Sequence, residues 1–284
     1  MKKYFSFIKF SHTVFALPFA LIGYFLAISR EEYFFSWKTF LLVIACMICA
    51  RSAAMGFNRF ADRKIDAKNP RTANREIPVG KISTVAAFSF VIFFSILFVT
   101  LTWFINPLCF QLSPIALVVV LGYSYTKRFT SLAHLFLGLG LSLAPIGAYL
   151  AVTGAFSFLP LLFSFVVMSW VSGFDIIYAL QDEEFDRQEK LFSIPAWLGK
   201  RNALVFSRVL HFISATIIIS AGLFGNFGLS YWIGASIFIL LLTYQQKLVK
   251  PEDLSKVNLA FATTNGIASI VFSIFVLTDL YLKS

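Results

Sequence analysis

Long apolar runs dominate this 284-residue chain and limit what it can fold into. A helix needs about 20 apolar residues to cross the hydrocarbon core of a bilayer, and a helix satisfies its own backbone polar groups there. The sequence contains nine runs of about this length, so it predicts an all-α membrane protein, a bundle of nine transmembrane helices in a single domain over 1–284. The predicted spans are 10–29, 39–58, 84–104, 107–125, 132–152, 158–180, 202–223, 229–247 and 257–281.

The first run is preceded by Lys2 and Lys3, a combination that also occurs in cleaved signal peptides. However, the run reaches Ser29 without a clear small-x-small cleavage motif and leads directly into a second apolar run. We therefore expect the first run to be a transmembrane helix.

The formal net charge of +10 would be typical of a nucleic-acid-binding protein if the charges were on a soluble surface. On the predicted topology, all but three of the 24 Lys and Arg residues lie in or beside the N-terminal segment and the even-numbered connections. By the positive-inside rule these segments are cytoplasmic, and nine spans place the C-terminus on the other side. Attraction to anionic lipid accounts for the charge, so we expect no nucleic-acid partner. The three exceptions are Arg30, Lys38 and Lys283.

A row of oxygen-bearing side chains follows the second run. Asn58, Asp62 and Asp66 are four residues apart, a spacing that keeps them near one face of a helix. Carboxylate and amide oxygens are ligands for hard cations such as Mg²⁺. The spacing therefore predicts a cation site at the end of this helix.

Basic residues surround this row. Seven Lys and Arg residues occur from Arg59 to Lys81, among rigid prolines. They form either a solvated cytoplasmic loop or a grip for a polyanion beside the carboxylates. Arg51 precedes Asn58 by seven residues, and a charge at that depth indicates either an internal ion pair or a polar cavity.

A second acidic row appears about 120 residues later, at the end of the sixth run. Asp182 and Asp186 repeat the four-residue step, and Asp175 lies seven residues before Asp182. Tyr178 can donate a hydrogen bond across the same site. Lys127 and Arg128, in a connection on the same predicted side of the membrane, either anchor the topology or contact phosphate.

Two carboxylate rows with basic residues between them suit a diphosphate bound through Mg²⁺, because Mg²⁺ commonly bridges carboxylates and substrate phosphates. A diphosphate inside a membrane bundle indicates a lipid substrate, such as an isoprenoid with its chain in a central cavity and its phosphates at a polar cytoplasmic end. Stabilising the departing pyrophosphate would make the allylic carbon electrophilic.

These residues resemble the UbiA-type intramembrane prenyltransferases. The resemblance rests on four motifs: Asn58-x3-Asp62-Arg63-x2-Asp66, Asn69-Pro70-Arg71-Thr72-x2-Arg75-x2-Pro78-x-Gly80, Tyr123-x-Tyr125-x-Lys127-Arg128 and Tyr178-x3-Asp182-x3-Asp186. It implies that two Mg²⁺ ions are held by Asn58, Asp62, Asp66, Asp182 and Asp186, of which the four aspartates are the candidate catalytic residues. The candidate substrate-binding residues are Asn58, Arg63, Arg71, Lys127, Arg128, Tyr178, Arg51 and Asp175. Of these, Arg63, Arg71, Lys127 and Arg128 are expected near the phosphates.

The resemblance also implies a reaction, which is transfer of a polyprenyl chain to an aromatic acceptor in quinone biosynthesis, in the bacterial inner membrane. We infer no obligate protein partner. Many members of the family have Asp directly after the Asn of the first motif, where this chain has Arg59. This form resembles the 4-hydroxybenzoate polyprenyltransferase branch, in which 1,4-dihydroxy-6-naphthoate, in the futalosine route to menaquinone, is the alternative acceptor. A transporter or ion channel is the competing hypothesis of another class, because ionisable residues inside a membrane often mark ion pathways.

Overall fold

The computed structural model describes residues 2–8 and 15–283. Within them the chain is helical, and the β-type pairing is a single bridge between Lys250 and Asp253. The α-helices are α1 (Lys2–Phe7), α2 (Leu17–Ile28), α3 (Trp37–Lys68), α4 (Thr84–Trp103), α5 (Pro107–Thr126), α6 (Ala133–Thr153), α7 (Phe158–Ala179), α8 (Glu183–Gln188), α9 (Ile194–Phe224), α10 (Leu229–Leu248) and α11 (Asn265–Lys283). A 3₁₀ turn (Leu180–Asp182) joins α7 to α8, and a π-helical turn (Leu259–Thr264) precedes α11.

Seven helical segments of the described chain are long and apolar enough to cross a membrane, so the protein is a multi-pass membrane protein. Two predicted spans fall outside this set. The helix α10 has 20 residues but ends in Gln245, Gln246 and Lys247, which reduce its apolar character. The helix α2 has 12 residues, and the first predicted span begins among residues 9–14, including His12, which lie outside the described residues. The seven segments are Trp37–Lys68, Thr84–Trp103, Pro107–Thr126, Ala133–Thr153, Phe158–Gln188, Ile194–Phe224 and Leu259–Lys283.

Two helices extend well beyond their predicted spans. The second predicted span ends at residue 58, whereas α3 continues to Lys68, because a polar sequence can remain helical outside the hydrocarbon region. This extension holds the first acidic row on one continuous helix. The helix α9 begins at Ile194 rather than at residue 202 and is kinked at Gly199, whose φ of 75° lies in the left-handed region that favours glycine.

The helix α7 is packed between α6 and α9 and contributes most to the core. Trp170 is fully buried, and its indole N–H donates a 3.0 Å hydrogen bond to the side-chain oxygen of Asn265. The contact with α6 is close at Gly138, where a methyl group would overlap the Met168 carbonyl oxygen and the Ser172 hydroxyl. This packing fixes α7, and with it the second acidic row.

The helices α4 and α5 have few buried residues. Their large apolar side chains, such as Phe93 and Val118, are more than half exposed, as expected for helices that face lipid. Both helices pack against α3, and α5 also packs against α6. The space that these four helices leave between them is the cavity described below.

Candidate active site

The first acidic row lies on the last turns of α3. Asp62 and Asp66 are 1% and 4% exposed, which is unusual for carboxylates unless they are paired. The Asn58 amide donates a 3.1 Å hydrogen bond to Asp62 Oδ2, as the four-residue step predicts.

The end of α5 supplies two cations to Asp62. Lys127 Nζ lies 2.6 Å from Asp62 Oδ2, and an Arg128 guanidinium nitrogen lies 3.0 Å from Asp62 Oδ1. Arg128 also donates to the backbone carbonyls of Ala61 and Ser124, so it ties α3 to α5. Lys127 and Arg128, two of the four cations predicted near the phosphates, therefore lie at the first acidic row.

Asp66 is held by the loop that follows α3. An Arg75 guanidinium nitrogen lies 2.7 Å from Asp66 Oδ1, and the Thr72 hydroxyl donates to the Asp66 carbonyl. The second carboxylate oxygen, Oδ2, is buried without a hydrogen-bond partner among the described residues. Arg59, 4% exposed, has two guanidinium nitrogens in the same condition. Buried polar atoms without partners are rare, so these atoms are available to a ligand or an ion.

The second acidic row is joined to the first by Arg71. Its Nε donates a 2.9 Å hydrogen bond to Asp182 Oδ1, and its NH2 group pairs with Asp182 Oδ2. Its NH1 group donates to the Tyr178 hydroxyl at 2.9 Å, and Asn69 also donates to Asp182. Burial lowers the pKa of Arg71, but the hydrogen bond and the charge of Asp182 raise that pKa by more, so Arg71 remains a cation.

The α-helix is interrupted by a 3₁₀ turn before Asp186. Asp182 ends the 3₁₀ turn and immediately precedes α8, in which Asp186 lies. The second row therefore does not lie on one continuous helix as the first does. Lys127, Asp182 and Ser193 are within electrostatic range of Asp186, which places it beside the same group of charges.

Arg63 is oriented differently from the other predicted phosphate-contacting residues. It donates a 2.7 Å hydrogen bond to the Phe60 carbonyl, and its guanidinium lies 4.6 Å from the centre of the Phe60 ring. It makes no ion pair with a carboxylate of the described chain.

Asp175 has a partner from another helix. Its Oδ2 lies 2.7 Å from Nδ1 of His134, which is 5% exposed. The Ile194 backbone N–H points to Nε2 of the same ring at 3.4 Å. Since a backbone N–H can only donate, Nε2 is the acceptor and Nδ1 carries the proton that is donated to Asp175. Both ring nitrogens of His134 are thus engaged.

An apolar cavity of about 380 Å³ lies among α3, α4, α5 and α6. Arg51 and Tyr123 line it, and Arg51 forms no ion pair with a described carboxylate. Arg51 therefore lacks the expected ion pair and lies at a cavity, but the wall of this cavity is apolar and includes none of the aspartates, so it is not the predicted polar cavity. On α3 the wall extends from Val43 to Met55, twelve residues or about 18 Å of helix. It ends one turn before Asn58.

The side chains at the site are of the kinds that bind Mg²⁺, but their present arrangement does not form a binding site for the ion. The donors are hard carboxylate and amide oxygens, and Asp66 Oδ2 is buried and unpaired. In the described part of the chain, no three His, Cys, Asp or Glu side chains are close enough together to hold one ion. Instead, Asp62, Asp66 and Asp182 are each neutralised by Lys or Arg. Metal binding would therefore require those cations to move toward another anion.

Four residues at the site were not among the predicted site residues. Arg75 and Asn69 lie within the second motif, so the motif carried their signal. Arg59 was noted only as a departure from the family pattern. His134 is a single histidine at the start of α6, and sequence spacing gives no indication that it contacts Asp175.

Comparisons with known proteins show the family of this chain. Residues 16–272 match the UbiA prenyltransferase family. The 4-hydroxybenzoate octaprenyltransferase of Vibrio parahaemolyticus is 30% identical over 239 residues, which are 83% of each chain. The enzyme of the same name from Shewanella pealeana is 27% identical over 245 residues, covering 86% of this chain and 85% of that protein.

Solved structures share the fold. A UbiA homologue from Aeropyrum pernix in its apo form has a TM-score of 0.81 and 30% sequence identity, covering 95% of this chain and 97% of that one. A UbiA homologue from Archaeoglobus fulgidus bound to DMAPP and Mg²⁺ has a TM-score of 0.77 at 19% identity, covering 99% of both chains. The chain belongs to the UbiA prenyltransferase family and is a membrane-embedded prenyltransferase.

Proposed function

We propose that this enzyme transfers a polyprenyl group from its diphosphate to a ring carbon of 4-hydroxybenzoate, in the biosynthesis of respiratory quinones. The observation that carries the proposal is the position of the paired acidic and basic side chains, one helical turn from an apolar cavity lined by Arg51. The names of the curated relatives support the acceptor.

The cavity suits the prenyl chain. Its volume of about 380 Å³ is within the usual range for ligand pockets, and small residues of α3, α5 and α6 such as Ala50, Ala116 and Gly147 form much of its wall. A chain that enters beside Tyr123 would run parallel to α3. Its diphosphate would then lie at the polar end of α3, where the acidic rows meet.

The cations that now neutralise the aspartates would bind the diphosphate. Arg71, Arg75, Lys127 and Arg128 each donate to a carboxylate, and phosphate oxygens accept the same hydrogen bonds with more charge. When these cations turn to the substrate, Asn58, Asp62, Asp66, Asp182 and Asp186 become available to hold Mg²⁺. Bound there, Mg²⁺ would supply charge stabilisation to the leaving group.

In the proposed reaction, the bond between the allylic carbon and the diphosphate oxygen breaks, and its electron pair leaves with pyrophosphate. The four cations stabilise the charge that develops on the leaving oxygen. The acceptor ring carbon forms the new carbon–carbon bond and then loses its proton to water. Tyr178, hydrogen-bonded to Arg71, keeps that guanidinium oriented toward the leaving group.

Arg51 is the proposed contact for the acceptor carboxylate. It is the one cation lining the described wall of the cavity, and its buried Nε has no hydrogen-bond partner there. The alternative acceptor, 1,4-dihydroxy-6-naphthoate, also carries a carboxylate, so Arg51 suits both. The observation that keeps the naphthoate acceptor under consideration is Arg59. This residue is buried beside Asp66, at a position where many family members have a carboxylate.

The remaining architecture is part of the proposal. We infer nine spans in a single domain, with the N-terminus and the acidic end of the bundle facing the cytoplasm of a bacterial inner membrane. The basic residues between Arg59 and Lys81 support this orientation by the positive-inside rule. No nucleic acid and no obligate protein partner are required.

A transporter or channel is disfavoured by the distribution of polar groups. The paired carboxylates collect at one end of the bundle, while the wall of the cavity toward the other end is apolar. Flux through liposomes, measured with and without prenyl diphosphate, tests this. Solute transport without prenyl transfer would favour the rival.

The acceptor is tested by competition. Purified enzyme is incubated with a polyprenyl diphosphate, Mg²⁺ and equal amounts of 4-hydroxybenzoate and 1,4-dihydroxy-6-naphthoate, and the products are identified by mass spectrometry. We expect prenylated hydroxybenzoate as the main product. Prenylated naphthoate would replace the acceptor assignment, and no product from either would refute the proposal.

The metal-binding residues are tested separately. Asp62→Ala and Asp182→Ala should abolish turnover while the protein still inserts into membranes. Asp253→Asn is the matched control, because this carboxylate is exposed and contacts only its own loop. Turnover at the wild-type rate in both alanine variants would refute the assignment.

A further inference from the structure

A second cavity lies at the opposite end of the bundle from the acidic rows. It has a volume of about 300 Å³ and is formed where α2, α9 and α11 end and α7 begins. Ser157 at this cavity and Tyr178 at the active site are 21 residues apart along α7, a distance of about 32 Å. The second cavity is therefore separate from the site of prenyl transfer.

Two cations line this second cavity. They are Arg30, which follows α2, and Lys283, the last residue of α11. Only three basic residues are found on this predicted side of the membrane, and these are two of them. Since scattered surface charges would not be expected to converge, their shared cavity indicates selection for an anion.

The neighbouring carboxylates leave Arg30 without an ion pair among the described residues, whereas Lys283 pairs with Asp279 and donates to the Asn226 carbonyl. Asp279 Oδ2 is 3.7 Å from Lys283 Nζ, but the two oxygens of Asp279 accept hydrogen bonds from the backbone N–H groups of Gly228 and Tyr231. Glu31 and Glu32 follow Arg30 in the chain, yet neither forms an ion pair with a described residue.

Two further features favour an anion in the cavity. Tyr149 lines it and is 2% exposed, and its hydroxyl is buried without a hydrogen-bond partner among the described residues. A buried hydroxyl is costly unless a ligand engages it. The N-terminus of α7 also opens here, and its N-cap Ser157 makes no capping hydrogen bond, so the first N–H groups of a 22-residue helix are left for an anion.

The rest of the wall is apolar. Leu26, Leu280 and Phe227 are buried at the cavity, while Phe224 is more than half exposed beside it. An amphiphile fits this division, with a phosphate between the two cations and the start of an acyl chain against the apolar wall. Free phosphate would leave the apolar wall uncovered.

We propose that this second cavity binds the phosphate headgroup of an anionic phospholipid. Bound lipid would join the ends of α2, α9 and α11 to the start of α7. The site thus links the elements that carry the second acidic row to the membrane surface at the far end.

Native mass spectrometry of the full chain in neutral detergent tests the proposal, with phosphatidylglycerol and phosphatidylcholine as the probes. We expect phosphatidylglycerol to bind about tenfold more tightly than phosphatidylcholine, since each cation near a membrane surface favours anionic lipid. The double variant Arg30→Gln/Lys283→Gln should lose this preference, and Tyr149→Phe should reduce it.

The matched control is Lys38→Gln, which removes the third basic residue of this end without altering the cavity. It should keep the preference, and all variants should retain prenyl transfer in detergent. An equal loss of preference in Lys38→Gln, or no preference in the wild type, would overturn the proposal. Displacement of the lipid by millimolar glycerol phosphate would show a free-phosphate site instead and would also overturn it.

Discussion

Arg71 offers the sharpest test of how the two acidic rows act together. Its side chain makes three contacts, two charge-assisted ones to Asp182 and one to the Tyr178 hydroxyl. In the proposed reaction the two donors to Asp182 turn to the diphosphate, while the hydrogen bond to Tyr178 keeps the guanidinium oriented. Arg71→Lys preserves the charge but removes the planar fork, so one charge-assisted hydrogen bond and the contact with Tyr178 are lost.

The magnitude follows from those contacts. A hydrogen bond in which one group is charged contributes about 1.5–3 kcal/mol, and both lost contacts are of this kind because Arg71 is a cation. The side chains of Arg71 and Asp182 are 30% and 16% exposed, so solvent screening favours the lower values. We therefore expect a loss of about 2–3 kcal/mol, which corresponds to a decrease in kcat/KM for prenyl diphosphate of roughly 30- to 150-fold.

The assay is a measurement of kcat/KM in detergent with a fixed acceptor concentration and varied prenyl diphosphate. Lys64→Gln is the control, because Lys64 is an exposed cation near the end of α3 without an ion pair among the described residues. It should change kcat/KM by less than about threefold, as expected for a surface charge. A change that small in Arg71→Lys would refute the proposed transfer of Arg71 to the substrate.

Three other predictions concern the cavity, the buried pair and the metal. A Cβ atom added at Gly147 would meet no atom within 4 Å, and Gly147 lines the cavity. Gly147→Leu should therefore extend into the cavity and decrease transfer of long prenyl chains about tenfold, but spare dimethylallyl diphosphate. Gly122→Leu, equally open but exposed outside the cavity, is its control, and equal losses with both substrates would contradict the cavity assignment. In chemical unfolding, His134→Ala should lower the free energy of unfolding by about 1.5–3 kcal/mol, because it leaves Asp175 unpaired. The double variant His134→Ala/Asp175→Ala should recover part of this loss of stability. Additive losses from the two substitutions would exclude an energetic coupling between His134 and Asp175. Removal of divalent ions with EDTA should abolish turnover, and added Mg²⁺ should restore it; full activity after dialysis against EDTA would rule out metal dependence.

The aspartates explain why the site can exist without its ligands. Asp62 and Asp66 are almost completely buried, and such carboxylates are destabilising unless cations neutralise them. Lys127, Arg128 and Arg75 do so, which keeps the unliganded bundle intact. Because the same cations are suited to phosphate, the proposed binding would exchange one set of ion pairs for another rather than create new charge.

Local sequence determined the features that depend on the period of the helix and on the thickness of the bilayer. The apolar runs predicted the membrane helices, and the four-residue step predicted that Asn58, Asp62 and Asp66 share a face. Both follow from geometry within about 20 residues. The motifs were also sufficient to indicate the family.

Tertiary structure decided which of the charged residues meet. The motifs predict both Arg63 and Arg71 near the phosphates. Arg71 contacts Asp182 across 111 positions of the chain, whereas Arg63 donates to the Phe60 carbonyl on its own helix. His134 was paired with Asp175 only by the packing of α6 on α7. Such pairings are set by how the helices pack against one another, and no local period encodes them. The same physical reason applies to the second cavity, whose wall comes from helices that are distant in the sequence and adjacent only in the folded bundle.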